Sequence, residues 1–402
     1  MLVFYFLGAI ALWLGIGSLR NGIQFSRYVR RELAQPPPDF TPTVTIIAPC
    51  RGLDQGLTRN IEALFEQDYP AYEIIFVTDR SDDPALSVID EVRKCRKEAH
   101  SPATRVVIAG PASDSGQKVH NLQVATEQIA SNSEVLAFVD TDTRPDPNWL
   151  RSLVRPLSKP EIGAATGYRW FIPVNGGFAS QLRSVWNASI TSALGERDEK
   201  NFCWGGSTAV RRETFESLQM RERWRGTVSD DFALTGMFRK AGLRIHFVPQ
   251  CLIASLEDCN FRELVEFTNR QLKITRVYAP HLWKALLLGS ALFNAVFFGG
   301  GLLIVIRAML GLSFGAPLVL IGTIYVLGTT KAFIRFRAVK RVLNGYQSEL
   351  NGSLLFHLLL WPFASLLYLN NAVSAALSRR IKWRGITYEL KSPTEAVIIS
   401  RE

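Results

Sequence analysis

The sequence predicts an α/β fold, a mostly parallel sheet with helices on both faces, joined to transmembrane helices, one N-terminal and two to three C-terminal. Three observations predict it. Residues 43–259 alternate β-branched runs with helix-like runs, the order that yields a parallel sheet. Carboxylates sit where those runs end: Asp79, then Asp140 and Asp142, with Asp230-Asp231 opening a later helix-like run. Apolar stretches that can enter or span a bilayer flank this part on both sides.

The elements follow in order. Residues 2–18 form an uncharged apolar run, just long enough to span, with no basic residue before it and no small-residue cleavage site ahead of Arg20. A cleaved signal peptide is the competing reading. Arg20, Arg27, Arg30 and Arg31 follow at once, which places the next domain in the cytoplasm. Gln35-Pro36-Pro37-Pro38 is a stiff exit from the membrane. Val44-Thr45-Ile46-Ile47-Ala48-Pro49 reads as a strand with a breaker at its end. Residues 58–66 read as a helix, with Ile61, Leu64 and Phe65 on one face. Strands are expected at 74–77, 105–109 and 135–139, and helices at 82–97 and 117–130.

Beyond the soluble part, residues 261–278 form an amphipathic run in which Phe261, Leu264, Val265 and Leu272 lie broadly together, the pattern of an interfacial helix. Apolar stretches follow at 285–306, 316–330 and 353–377. The connection 311–315 is uncharged, as an outside loop is, and Lys331, Arg335, Arg337, Lys340 and Arg341 mark a return to the cytoplasm. A full crossing by the last stretch would put Arg379, Arg380, Lys382 and Arg384 outside, against the rule. With Pro362 mid-segment, both a re-entrant hairpin and a proline-bearing span remain open. The expected organisation is an anchor and basic exit (1–34), a catalytic domain (43–260), an interfacial helix (261–282), a membrane region (283–378) and a basic tail (379–402).

Composition narrows the class. A 402-residue chain with 47% hydrophobic residues is neither disordered nor too small for a large core. Its net charge of +10 fits the anionic face of a membrane, and the apolar segments favour that over a nucleic-acid partner. Five cysteines without a CxxC pair argue against a disulfide scaffold or a zinc site, and fit a reducing compartment.

The candidate chemistry lies on the acidic edge. Carboxylates at strand ends converge where α/β sheets bind ligands. Asp140 and Asp142 bracket one residue, and their hard oxygens suit Mg²⁺ or Mn²⁺ completed by substrate phosphates. A turn through Thr143 to Pro147 is the competing reading. Asp79 follows a buried strand and can accept from a ribose hydroxyl or base N–H; as a helix cap it has better rivals in Ser81 and Asp82. Ser229 or Asp230 reads as a helix N-cap, which leaves Asp231 as a general base. Lys118 and Asn121 open a helix, a place for anion contacts, against a merely solvated lysine. Trp204-Gly205-Gly206-Ser207 reads as a hairpin turn or as a close approach to a sugar.

The order of these motifs, ending in Arg270-Gln271-Leu272-Lys273-Ile274, resembles the family-2-type inverting glycosyltransferases, and within them most the ceramide glucosyltransferase family. The tail Trp383-Arg384-Gly385-Ile386-Thr387-Tyr388 is also similar to that family's. The resemblance implies a GT-A type fold. It implies donor contacts from Asp79, Lys118, Asn121, Asp140, Arg270 and Lys273, a metal on Asp140 and Asp142, and Asp231 as base. Trp204, Gly205, Gly206 and Asp230 fall on the acceptor side. The family's last motif ends in Arg-Trp, where this chain has Lys273 and Ile274. Losing that stacking platform favours a lipid acceptor over a growing polysaccharide, and lysine loses the bidentate fork of arginine. The resemblance implies an integral membrane hexosyltransferase acting from the cytoplasmic face, moving a hexose from a UDP-sugar, UDP-glucose favoured, to a membrane lipid such as ceramide to give a β-glycolipid. The alternatives are a processive polysaccharide synthase and a catalytically dead nucleotide-sugar-binding scaffold.

Overall fold

The computed structural model describes residues 1–35, 40–96 and 101–401. Pro36, Pro37 and Pro38 of the expected exit, and Lys97 at an expected helix end, lie outside the described residues. In chain order the first half runs α1 (Leu2–Leu33), β1 (Val44–Pro49), α2 (Leu57–Phe65), β2 (Tyr72–Thr78), α3 (Ala85–Cys95), β3 (Ala103–Ile108), α4 (Gln117–Thr126), β4 (Val135–Val139) and α5 (Trp149–Val154). Then come β5 (Ile162–Ile172), α6 (Phe178–Thr191), β6 (Ser207–Arg211), α7 (Arg212–Ser217), α8 (Met220–Arg223), α9 (Asp230–Lys240) and β7 (Arg244–Leu256). Helices α10 (Phe261–Tyr278), α11 (Pro280–Met309), α12 (Gly315–Val342), α13 (Gln347–Leu359) and α14 (Trp361–Leu377) precede β8 (Arg380–Trp383), β9 (Ile386–Ser392) and β10 (Glu395–Arg401).

The chain divides into two compact units. One gathers Met1–Arg30, Ile172–Ala193 and Asp258–Ser378; the other gathers Arg31–Phe171, Leu194–Glu257 and the tail from Arg379.

The second unit is built on a seven-stranded sheet of order β3-β2-β1-β4-β6-β5-β7. Strands β3, β2, β1 and β4 are parallel, and β6 runs antiparallel to both β4 and β5. The β-branched run of β1 lies in the middle, and Val44, Ile46 and Ile47 are fully buried. Chain direction reverses its march across the sheet between β1 and β4, which makes a switch point. Ligands of open α/β sheets bind outside the strand carboxyl ends there. In the core, Trp224 packs edge to face on Phe138 and Phe215, which are tilted to one another, with ring centroids 5.4 to 6.2 Å apart, amid Ile47, Val77 and Leu136.

The tail joins this unit as a three-stranded antiparallel sheet, β10-β9-β8. Arg384 and Gly385 between β8 and β9 both have left-handed φ, 49° and 75°, as a tight two-residue hairpin turn needs. Tyr388 is buried, and its hydroxyl accepts the N–H of Gln117 at the start of α4 (3.1 Å). At Gly226, with φ 74°, a Cβ would lie 2.1 Å from the carbonyl oxygen of Thr394, so only glycine admits the tail's β9–β10 turn.

In the first unit, α1, α11 and α12 are long and apolar enough to cross a membrane, with mean hydropathies of 2.1, 1.9 and 1.6 over their best windows. All three run past the expected stretches: α11 by a few residues at each end, α1 beyond Ser18 to Leu33 and α12 beyond Thr330 to Val342, the last two keeping their helical hydrogen bonds through the basic residues that follow the apolar run. Helix α10 begins at a capping box between Asn260 and Glu263. It buries Leu264, Thr268, Leu272 and Ile274, whereas Phe261, expected on that face, is 61% exposed. Phe261 is the first helical residue, before any turn of helix can shelter it.

The last apolar stretch is broken. Helices α13 and α14 meet at a 71° bend. Helix α14 is tied to α10 by Asn371, which donates to Thr268 and Asn269, and its Tyr368 stacks on Trp186 of α6 at 4.8 Å. If α11 and α12 each cross once, the chain is back on its starting side at Val342. The tail beyond α14 belongs to the same unit as β1–β7. A tail on the side of β1–β7 requires an even number of crossings, with which the 71° bend of a re-entrant hairpin accords.

Candidate functional site

Strand ends place the acidic residues. Asp79 follows β2, is 5% exposed, and faces Arg51 from the loop after β1 (Nη1 to Oδ2, 3.6 Å). Its Oδ1 is buried without a hydrogen-bond partner. It does not cap α3, and neither do Ser81 and Asp82. Pro84 holds the N-cap position and the helix starts at Ala85, three residues later than expected; Asp83 accepts the N–H of Ala85 at 2.9 Å and also that of Gly52.

Asp140 and Asp142 follow β4. Both readings of that segment hold at once, since Thr143 closes a turn onto the Asp140 carbonyl through its N–H and its hydroxyl while the carboxylates point to one cluster. Lys118 Nζ lies 2.7 Å from Asp140 Oδ1 and 3.4 Å from Asp230 Oδ1. Burial works against the Lys118 ammonium, yet these two carboxylates raise its pKa well above that of free lysine. Burial likewise opposes charge on Asp140, but Lys118 and Arg169 hold its carboxyl below the ordinary value. For Asp230 burial prevails, with Asp231 and Asp140 adding repulsion against the pull of Lys118, and its carboxyl is pushed up to about 6. Its Oδ2 is buried and unpartnered.

Ser229, not Asp230, is the N-cap of α9; its hydroxyl accepts the Phe232 N–H. Asp231 is half-exposed, and its Oδ1 accepts from the Ser229 hydroxyl and from the Phe232 N–H at 2.7 Å.

Trp204-Gly205-Gly206-Ser207 is a turn, with the Ser207 N–H donating to the Trp204 carbonyl at 3.0 Å. It is also a close approach: a Cβ on Gly205 would lie 2.1 Å from Asp230 Oδ2 and 2.8 Å from Lys118 Nζ. Asn121 is buried behind this edge, its Oδ1 taken by Gln117 Nε2 at 2.8 Å. Arg270 and Lys273 lie on α10, in the other unit; Arg270 stacks on Phe267 at 5.4 Å.

Several residues here were not singled out from the sequence. Arg169, 9% exposed in β5, reaches Asp142 Oδ1 at 3.3 Å, Asp140 Oδ2 at 3.4 Å and Glu257 at 3.9 Å. Its guanidinium lies 4.9 Å from the Trp204 ring and 5.3 Å from that of Phe171. Arg384, at the tail's turn, pairs with Asp54 at 2.7 Å and donates to the Arg51 carbonyl. A charged residue inside the run Ile162–Ile172 was the available signal for Arg169.

The donors suit a divalent ion. Asp140 and Asp142 offer hard oxygens that already converge on one cation, the Arg169 guanidinium. Among the described residues no group of three or more His, Cys, Asp or Glu is placed to hold a metal. Two carboxylates completed by phosphate oxygens and water are the usual arrangement for Mg²⁺.

A sheet of this order, with carboxylates gathered at its switch point and apolar helices of membrane-crossing length, defines an α/β protein of the GT-A type. The chain belongs to glycosyl transferase family 21, whose model matches residues 8–396. The motif resemblance to the ceramide glucosyltransferase family agrees with this membership. A ceramide glucosyltransferase of Komagataella phaffii is 31% identical over 77 residues, 19% of this chain and 14% of that protein. The matched part is thus a small fraction of the curated relative. Among solved structures, the mannosyltransferase PcManGT of Pyrobaculum calidifontis, in complex with GDP-Man and Mn²⁺, is 17% identical at a TM-score of 0.49, covering 92% of this chain and 98% of that one. Glucosyl-3-phosphoglycerate synthase of Mycobacterium tuberculosis, in complex with Mn²⁺ and UDP-glucose, is 16% identical at a TM-score of 0.38, covering 62% and 80%.

Proposed function

We propose that this chain transfers a hexose from a UDP-sugar, UDP-glucose favoured, to the hydroxyl of a membrane lipid such as ceramide, in one inverting displacement at the cytoplasmic face of the membrane. The observation that carries the reading is Lys118 held between Asp140 and Asp230, which draws the strand-end carboxylates and the start of α9 into one charged cluster. Family membership supports glycosyl transfer, and the basic residues flanking the apolar helices support the cytoplasmic side.

In this reading Asp79 accepts from the nucleoside through its unpartnered Oδ1, with Arg51 beside it. Lys118 and Arg169 stabilise the negative charge that grows on the diphosphate. Mg²⁺ or Mn²⁺ on Asp140 and Asp142 would neutralise the departing diphosphate as a Lewis acid. Asp231, its Oδ1 fixed by two donors, takes the proton of the lipid hydroxyl on its other oxygen. The lipid oxygen bonds to the anomeric carbon from the face opposite UDP, and the old C–O bond breaks with its electron pair going to the diphosphate. The anomeric centre inverts. Asp231 then releases its proton to solvent, and Trp204 and Gly205 shape the acceptor side.

The test is UDP release by protein purified in detergent, given UDP-glucose, Mg²⁺ or Mn²⁺ and a lipid extract. Release that needs both the metal and the lipid supports the reading. No release from any UDP-sugar would overturn it and favour a non-catalytic binding role.

A further inference from the structure

We infer that Arg169 occupies the Asp140–Asp142 pair in place of the metal until the donor binds, and then hands its charge to the diphosphate. The inference rests on the glycosyltransferase reading above.

The guanidinium is fixed from every direction the structure describes. Three carboxylates approach it within 3.9 Å: Asp142, Asp140 and Glu257. These come from the ends of β4 and β7, so one side chain joins two strand ends. Trp204 and Phe171 lie against it at 4.9 and 5.3 Å, which suits a planar delocalised cation and not an ammonium. A buried arginine in a strand is costly to desolvate unless paired. Here it is paired with three carboxylates, two of which are the proposed metal ligands.

Two consequences separate this role from simple packing. Arg169 is a cation within 3.5 Å of both proposed metal-binding carboxylates, so it repels the ion while the site lacks a donor. A diphosphate brings negative charge that the metal alone does not cancel, and a guanidinium binds such oxygens in a bidentate manner. Removing the charge therefore favours the bare metal and disfavours the nucleotide. Loss of a merely structural residue would weaken both.

The experiment compares wild-type protein, Arg169→Gln and Arg169→Lys in detergent. Mn²⁺ binding is read by electron paramagnetic resonance without nucleotide, UDP binding by calorimetry at saturating Mn²⁺, and folding by thermal unfolding in EDTA. We expect Arg169→Gln to bind Mn²⁺ about tenfold more tightly and UDP about tenfold more weakly, the effect of one nearby charge. Arg169→Lys should restore the Mn²⁺ affinity but only part of the UDP affinity, for want of the planar fork. Unchanged affinities, or both affinities lowered together with the unfolding temperature, would overturn the inference. If wild-type protein bound neither Mn²⁺ nor UDP, the glycosyltransferase reading itself would fail; wild-type binding with an unaltered Arg169→Gln would sink only the role of Arg169.

Discussion

The Lys118 ammonium meets the Asp140 carboxylate at 2.7 Å, and from the same nitrogen Asp230 is 3.4 Å away. One side chain at the start of α4 thereby compensates two acids, Asp230 buried and Asp140 half-buried, that lie 90 positions apart in the chain (230 minus 140). Replacing it with methionine leaves both without that partner. Lys118→Met should lose about 3–5 kcal/mol of stability, the usual penalty for stranding one side of a buried pair. Denaturant unfolding of the detergent-solubilised protein measures it.

Asp231→Asn keeps the shape of the side chain and its acceptor oxygen but removes the proton sink. Turnover should fall by about 10²–10⁴ while the donor KM stays within a few-fold of wild type. Steady-state UDP release gives both numbers, and full turnover in the variant would remove Asp231 from the base role.

Gly205→Ala would put a methyl group 2.1 Å from Asp230 Oδ2 and 2.8 Å from Lys118 Nζ. Lys118 is paired with Asp140 and with the other oxygen of Asp230, so a retreat of either side chain loosens the cluster. A stability loss of about 1–3 kcal/mol is expected, together with a fall in kcat. Thermal unfolding and UDP release are the readouts.

His246 supplies a pH prediction. It lies between Asp198 (3.0 Å) and Glu32 (3.8 Å). Burial opposes its charge, but hydrogen bonds to those two carboxylates raise its pKa above the ordinary histidine value. A raised folded pKa means that the stabilisation is full below the unfolded value of about 6.5 and is lost as pH rises through the folded one. The unfolding-temperature gap between wild type and His246→Gln should therefore be widest below that point and narrow at alkaline pH. A gap that widens with rising pH would contradict the assignment.

Much of the parallel half and its acids could be read from the chain, because local patterns encode them. The β-branched run of β1 and the carboxylates after β2 and β4 are visible without tertiary information. The antiparallel half was less legible: β6 inserts between β4 and β5 through pairings of residues 42 to 76 positions apart, such as Thr166 with Thr208 and Val135 with Arg211. Arg169 needed that pairing before its carboxylate partners could be known. The tail was read as a basic segment beyond the membrane. Its place against Gln117 depends on Tyr388, 271 positions away, and on the glycine at 226 that lets Thr394 approach. The end of α1 was legible only as a basic run, since Glu32 finds Arg155 and His246 through the fold.

The most direct measurement is the structure of the product. Protein in detergent with Mg²⁺ or Mn²⁺, UDP-glucose and a membrane lipid extract should yield one lipid class heavier by a single hexose, and the anomeric proton coupling should report a β-linkage. An α-linked product would contradict inversion with Asp231 as base. A ladder of longer glycans would mark a processive synthase, and no glycolipid from any UDP-sugar would contradict the account as a whole.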